Sequence, residues 1–235
     1  RQMCIRDRIK GFALVSSLIT FVLSAVLLFQ FDFSSADKLQ LGNKISWIKS
    51  INANYEIGID GISLPLLVLS TFITVLAIIY SIEHLPEPKS PKGFLALILV
   101  LETGMNGTFV ALDLILFFVF FEIVLLPMYF MIGIWGDKTV RTVSGFKNQI
   151  ETRLYASIKF FVFTLFGSAF MLLGFLGLYY RGNKTFSIPE LIELGTSGAF
   201  TGTFATLVFA VLFLGLAVKV PMWPLHTWLP DAHTA

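Results

Sequence analysis

Leu114-Ile115-Leu116-Phe117-Phe118-Val119-Phe120-Phe121-Glu122-Ile123-Val124-Leu125-Leu126-Pro127-Met128-Tyr129-Phe130-Met131-Ile132-Gly133-Ile134-Trp135 carries one charge, Glu122, in an otherwise apolar run. A bilayer core of about 30 Å needs about 20 apolar residues at 1.5 Å of helix rise each, so the run reads as a transmembrane helix. Glu122 stands eight residues from one end and thirteen from the other, near the bilayer centre. A charge there costs at least about 2.5 to 3.5 kcal/mol, so it marks either a functional carboxyl or a neutral one bonded to a neighbouring helix. Pro127 has no N–H for the carbonyl of Ile123, so the helix kinks beside Glu122 and frees a carbonyl that can bind water or a proton's hydrogen bond.

Working outward, five more apolar segments reach or approach spanning length: Gly11 to Phe31, Ile62 to Ser81, Gly93 to Leu112, Ala156 to Tyr180 and Ala199 to Leu229. Gly93–Leu112 and Leu114–Trp135 are separated only by Asp113 and must form a tight hairpin, since one straight helix over both would be about twice the bilayer. Residues 1–10 read as an N-terminal tail. The first segment follows Arg6, Arg8 and Lys10, and Ser34-Ser35-Ala36 loosely resembles a cleavage site, so a signal peptide is the alternative; its apolar run exceeds the roughly 7 to 15 residues of a signal. Asp60 and Ser63 are N-cap candidates for the second span, with Pro65 in its first turn. Between the spans lie a polar stretch from Asp32 to Gly58, a rigid Pro-rich loop from Glu83 to Lys92, a basic connection from Gly136 to Lys159, and a polar return from Arg181 to Gly198 with Pro189 at a helix start.

Composition agrees. Of 235 residues, 56% are hydrophobic and 14% charged, against roughly 45 to 50% and about 25% in a soluble domain. Mean hydropathy is +0.81. A disordered chain, a basic nucleic-acid-binding domain and most soluble enzymes are excluded, which leaves an all-α polytopic membrane protein of about six spans. One cysteine makes no internal disulfide and cannot hold an iron–sulfur cluster, which takes about four thiolates. The net charge of +2 is too small to argue for an anionic partner. No Gly-x-Gly-x-x-Gly, P-loop, Cys-x-x-Cys or Gly-x-Ser-x-Gly is present, so the chain has no signature for dinucleotide binding, nucleotide hydrolysis or acyl transfer. With six spans, Lys and Arg collect eleven on the N-terminal side and five on the other, which puts the N-terminal tail inside.

Lys219 is the only base read as lying within an apolar span, directly before Val220-Pro221-Met222-Trp223-Pro224. Two prolines three apart break the helix and leave unpaired backbone groups beside the ammonium. A lysine reaching to the interface is the plainer alternative. Glu102, Asn106 and Asp113 share one helix face by spacing, an inner stripe that serves structural hydrogen bonding as well as it serves proton transfer. Lys159 starts the fifth span. Pro224-Leu225-His226-Thr227-Trp228-Leu229-Pro230-Asp231-Ala232-His233 sets two imidazoles and a carboxylate between prolines, a reasonable proton path but a poor metal site.

Tyr55-Glu56-Ile57-Gly58-Ile59-Asp60-Gly61-Ile62-Ser63-Leu64, Phe121 through Gly136, Ala217-Val218-Lys219-Val220-Pro221 and the run to Asp231-Ala232-His233 resemble the subunit M (chain 4) family of the proton-pumping NADH:quinone oxidoreductase, respiratory complex I, from about Gly11 to Thr234. The related L and N subunits and the multisubunit sodium/proton antiporters share the buried Glu and Lys, but the His-Thr-Trp-Leu-Pro-Asp-Ala-His form looks like M. Arg1 to Arg8 matches nothing in that pattern and reads as non-native; Ala235 interrupts a polar segment, so the chain reads as a fragment. The resemblance implies that the six spans are the second to seventh of fourteen, with the seventh broken. It implies that Glu122 and Lys219 are the Glu–Lys pair of the first half-channel; by their own chemistry His226, Asp231, His233, Glu102 and Lys159 are candidates for the proton path or for coupling, with Lys159 also contributing positive-inside charge. It further implies an energy-transducing membrane, the bacterial inner membrane above all, with L-type and N-type subunits as partners. NADH, FMN, iron–sulfur clusters and quinone are expected on other subunits, with no cofactor, metal or nucleic acid on this chain. The central lysine and second half-channel are expected beyond Ala235.

The mechanism expected is a switchable Glu122–Lys219 ion pair. Unit charges about 4 Å apart at an effective dielectric near 20 interact by about 4 kcal/mol, enough to change a protonation state and small enough to reverse. A cation/proton antiporter subunit, or a passive scaffold bridging pump modules, are the competing functions.

Overall fold

The computed structural model describes residues 2–85, 90–141 and 150–234. The middle of the Pro-rich loop, residues 86–89, and of the basic connection, residues 142–149, lies outside them, and so do Arg1 and Ala235. Among the described residues six helices are long and apolar enough to cross a membrane. The chain divides into two units, Arg1–Ser46 with Asn54–Pro127, and Trp47–Ala53 with Met128–Ala235.

The first unit begins with α1 (Gln2–Gln30). The helix thus reaches back to Gln2, ahead of the candidate membrane span, which begins at Asp7. α1 is built into the unit as a span, with Ser24 Oγ 2.8 Å from Thr71 Oγ1 and Phe21 against Phe72. With one proton each, one hydroxyl donates to the other and the acceptor donates to a carbonyl of its own helix, which is how small polar residues stay satisfied where water is absent.

The polar stretch after α1 is not all loop. β1 (Gln40–Ile48) and β2 (Ala53–Ile59) pair in a two-stranded sheet. α2 (Ser63–Glu83) then starts where Asp60 Oδ1 accepts the N–H groups of Ile62 and Ser63, so Asp60 supplies the cap and Ser63 is the first helical residue. Phe31, Ile59, Leu64 and Leu67 form the core beneath this junction.

α3 (Pro91–Val110) opens with Pro91 in its first turn, where the missing N–H costs nothing. It ends three residues before Asp113, because Leu112 N–H turns away to the carbonyl of Glu56 and Ala111 bridges Ile57 on β2. The stripe expected from Glu102 to Asp113 is thus corrected: Glu102 and Asn106 share α3, and Asp113 is off it. Asp113 instead caps α4 (Leu114–Ile123), accepting from Ile115 and Leu116 with one oxygen and from Asn54 N–H with the other, while fully buried. α4 stops at Ile123, the residue whose carbonyl Pro127 cannot serve, and α5 (Leu125–Trp135) continues the span after Val124.

In the second unit, β3 (Val140–Arg141) and β4 (Ile150–Glu151) pair antiparallel ahead of α6 (Thr152–Arg181). The fifth span therefore begins at Thr152, four residues before the expected Ala156. α7 (Ile188–Thr196) is a short helix with Pro189 in its first turn and Leu191 buried. The last apolar run resolves into α8 (Gly202–Lys219), a non-helical turn and α9 (Trp228–Thr234). α6 and α8 touch backbone to backbone through glycine: a Cβ on Gly215 would lie 2.8 Å from the carbonyl oxygen of Gly167. Small residues at a helix crossing are what membrane packing favours, since lipid supplies no hydrophobic drive between helices.

Candidate functional site

The sequence-selected residues fall into both units, Glu102 and Glu122 in the first, Lys159, Lys219, His226, Asp231 and His233 in the second. In the first unit, Glu102 is 4% exposed and its Oε1 is buried with no hydrogen-bond partner among the described residues. Asn106 Oδ1, one turn on, is in the same condition. The two glycines between and beside them explain why these polar atoms are enclosed. A Cβ on Gly104 would sit 2.8 Å from a methyl of Val124, and one on Gly107 would overlap the Phe120 ring, so α3 and α4 approach as closely as backbones allow. Glu122 is partly buried on α4, one residue from Ile123, and Pro127 is fully buried.

The second unit is organised by the break after Lys219. Pro221 has no N–H, so the carbonyl of Ala217 is taken one residue later by Met222 N–H at 2.9 Å. The carbonyl of Val218 is taken by the indole Nε1 of Trp228 at 2.8 Å. Trp228 is buried and packs on Phe160 of α6, with ring centroids 5.2 Å apart. The sequence placed this tryptophan in the motif without a role; the broken helix ending nine residues earlier was the signal that a donor was needed. Lys219 is the last residue of α8, partly buried at the carbonyl end where a helix favours a cation.

Lys159 differs from its expected place at the start of the fifth span. It lies seven residues inside α6, so Lys219 is not the only lysine within a span. Its ammonium meets Asp231 Oδ2 of α9 at 2.8 Å, with both side chains about four-fifths buried, and lies over the Tyr155 ring at 5.6 Å. This pair closes α9 against α6. His226 is partly buried in the turn, with Nδ1 enclosed and unpartnered among the described residues. His233 is exposed on the last turn of α9 and is not brought to the pair. Among the described residues no three of His, Cys, Asp and Glu gather as a metal site would require. Among the described residues the arrangement therefore offers enclosed ionisable groups, Glu102 and His226, beside two helix breaks.

Residues 7–108 match the amino-terminal model of NADH-ubiquinone oxidoreductase chain 4, and residues 111–235 match the transmembrane model of the NADH:quinone oxidoreductase/Mrp antiporter family. The NADH-quinone oxidoreductase subunit M of Rickettsia bellii is 37% identical over 94% of this chain and 41% of its own length. The NAD(P)H-quinone oxidoreductase chain 4 of Gloeobacter violaceus is 38% identical over 96% and 39%. Respiratory complex I from Thermus thermophilus with bound NADH contains a chain that superposes with a TM-score of 0.77 at 26% identity, covering 95% of this chain and 42% of that one. The chain spans about two fifths of the length of these relatives. It belongs to the NADH:quinone oxidoreductase/Mrp antiporter transmembrane family, in its subunit M (chain 4) branch.

Proposed function

We propose that this chain is part of a proton-translocating membrane subunit of an NADH:quinone oxidoreductase, with Glu122 and Lys219 as the proton-exchanging charges of one half-channel. The observation that carries the reading is the position of Lys219 as the final residue of a spanning helix, broken by Pro221 and locked by Trp228 on the carbonyl of Val218. A cation at that carbonyl end is stabilised electrostatically. Glu122 has its counterpart in the break between α4 and α5, where Pro127 has no N–H to offer the carbonyl of Ile123. Lys159 and Asp231 hold the return segment in place, and Glu102 and His226 are enclosed groups able to relay a proton. In this reading the redox centres sit on other subunits, L-type and N-type subunits are neighbours, and the N-terminal end of the span series faces the cytoplasm of a bacterial inner membrane.

The family also includes Mrp antiporters, and this favours a second reading as part of a cation/proton antiporter. Proton flux in proteoliposomes of the full-length protein in its native complex separates the two. Flux driven by NADH oxidation and indifferent to sodium supports the oxidoreductase; sodium-dependent flux without NADH or quinone supports the antiporter.

A further inference from the structure

Two enclosed oxygens of α3 have no donor, and they lie one helical turn apart. Glu102 sits near the middle of the helix, on the buried stripe it shares with Leu95 and Ile98. Its Oε1 and the Oδ1 of Asn106 are both buried, and neither has a hydrogen-bond partner among the described residues. Residues four apart project from the same face of a helix, so the two side chains reach each other. α4, which carries Glu122, packs on a different face of α3, against Gly104 and Gly107. Asn106 lines a groove of about 610 Å³ between α1 and α3, and Glu102 does not, which leaves the carboxyl enclosed by protein.

The hydroxyls of the neighbouring helices have no proton to offer. Ser17 Oγ donates to the carbonyl of Leu14, and Thr74 Oγ1 to that of Ser70. Ser24 and Thr71 use one proton on each other and the second on a carbonyl of their own helix. Ser70 Oγ keeps its proton free but reaches neither oxygen. No cation answers the carboxyl either. On the helices packed against α3, the ionisable side chains are Asp7, Arg8 and Lys10 in the first turns of α1, Tyr80 and Glu83 in the last turn of α2, and Glu122 on α4. Lys92 opens α3 itself, ten residues before Glu102. No ion pair among the described residues includes Glu102. A carboxylate without donors is the costliest form of this side chain in hydrocarbon. A proton on Oε1 removes the charge and turns one unmatched acceptor into a donor for the other, so a single proton satisfies both atoms. We propose that Glu102 and Asn106 form one proton-binding site, with Glu102 a carboxylic acid whose O–H donates to Asn106 Oδ1. Asn106 is the positioning residue, since its amide oxygen directs the proton and does not take it over.

The test is infrared spectroscopy at neutral pH on the full-length protein in its native complex, in lipid. Native and variant chains are compared in the carboxylic C=O region, which is separate from the carboxylate and amide bands. E102Q removes one band there. N106L deprives the acid of its acceptor and moves that band to higher frequency. T103V changes the exposed side of the same turn, where the hydroxyl is bonded to the Leu99 carbonyl, and leaves the band in place. N106L and T103V both keep Glu102, so their spectra decide the matter even where E102Q does not assemble. Loss of a carboxylate band in E102Q, with the carboxylic region unchanged, would show that Glu102 is ionised and would overturn the proposal. A carboxylic region identical in N106L and the native chain would overturn it too, because Asn106 would then not be the acceptor. Proton pumping does not enter the readout, so the result stands apart from the function proposed above.

Discussion

Lys159 and Asp231, 72 residues apart in the chain, meet ammonium to carboxylate at 2.8 Å on α6 and α9. Both are mostly buried, so removing either charge takes this ion-pair partner from the other. Lys159→Met or Asp231→Asn should lower stability of the assembled protein by about 1.5 to 3 kcal/mol, the range for a hydrogen bond to a charged group. The exchanged pair Lys159→Asp with Asp231→Lys should recover part of the loss. Thermal unfolding of the purified complex in detergent measures this, and an exchanged pair no better than the worse single variant would show that the two residues do not act as a pair.

Trp228→Phe keeps the ring against Phe160 and removes the donor to the Val218 carbonyl. The stranded carbonyl should cost about 1 to 3 kcal/mol. Amide hydrogen exchange at residues 220 and 222, beside the break, should accelerate, while exchange in the middle of α6 stays unchanged.

Gly107→Ala places a methyl in the Phe120 ring and should reduce the amount of assembled subunit in the membrane, at a cost of about 1 to 3 kcal/mol from overpacking. Phe120→Leu in the same chain should restore part of it. Failure of that second substitution to help would mean that Gly107 is needed for its backbone and not for its lack of a side chain.

Asp60 gives a pH dependence with a defined sign. The Ser63 N–H foremost, and the Ile62 N–H with it, hold its carboxyl below the ordinary value, against partial burial that pushes the other way. A carboxylate whose folded-state value is depressed contributes stability that is present above its unfolded value of about 3.9 and is lost as pH falls through the folded value. The stability advantage of the native chain over Asp60→Asn should therefore be present at pH 6 and shrink below about pH 4. Melting temperatures of both proteins from pH 3 to pH 7 measure it.

The spans were legible because apolar length is a one-dimensional property, and the breaks at Pro127 and Pro221 because a missing N–H is covalent. What escaped was set by partners distant in sequence. α3 ends at Val110 because Ala111 and Leu112 join β2, and no periodicity count contains that, so Asp113 seemed to continue the Glu102 stripe. The strands did leave a trace: Leu41, Ile45 and Trp47, then Tyr55, Ile57 and Ile59, alternate with other residues at the strand period, within a stretch read as polar loop. Lys159 with Asp231, and Trp228 with Val218, were visible only as residue types, because the fold of the proline-broken segment decides which groups they reach.

The central claim is that Glu122 and Lys219 carry protons. The direct measurement is protons moved per NADH oxidised, in proteoliposomes of the intact complex bearing Glu122→Gln or Lys219→Met. Each substitution should abolish or sharply reduce that ratio while the complex remains assembled; a near-normal ratio in both variants would contradict the account.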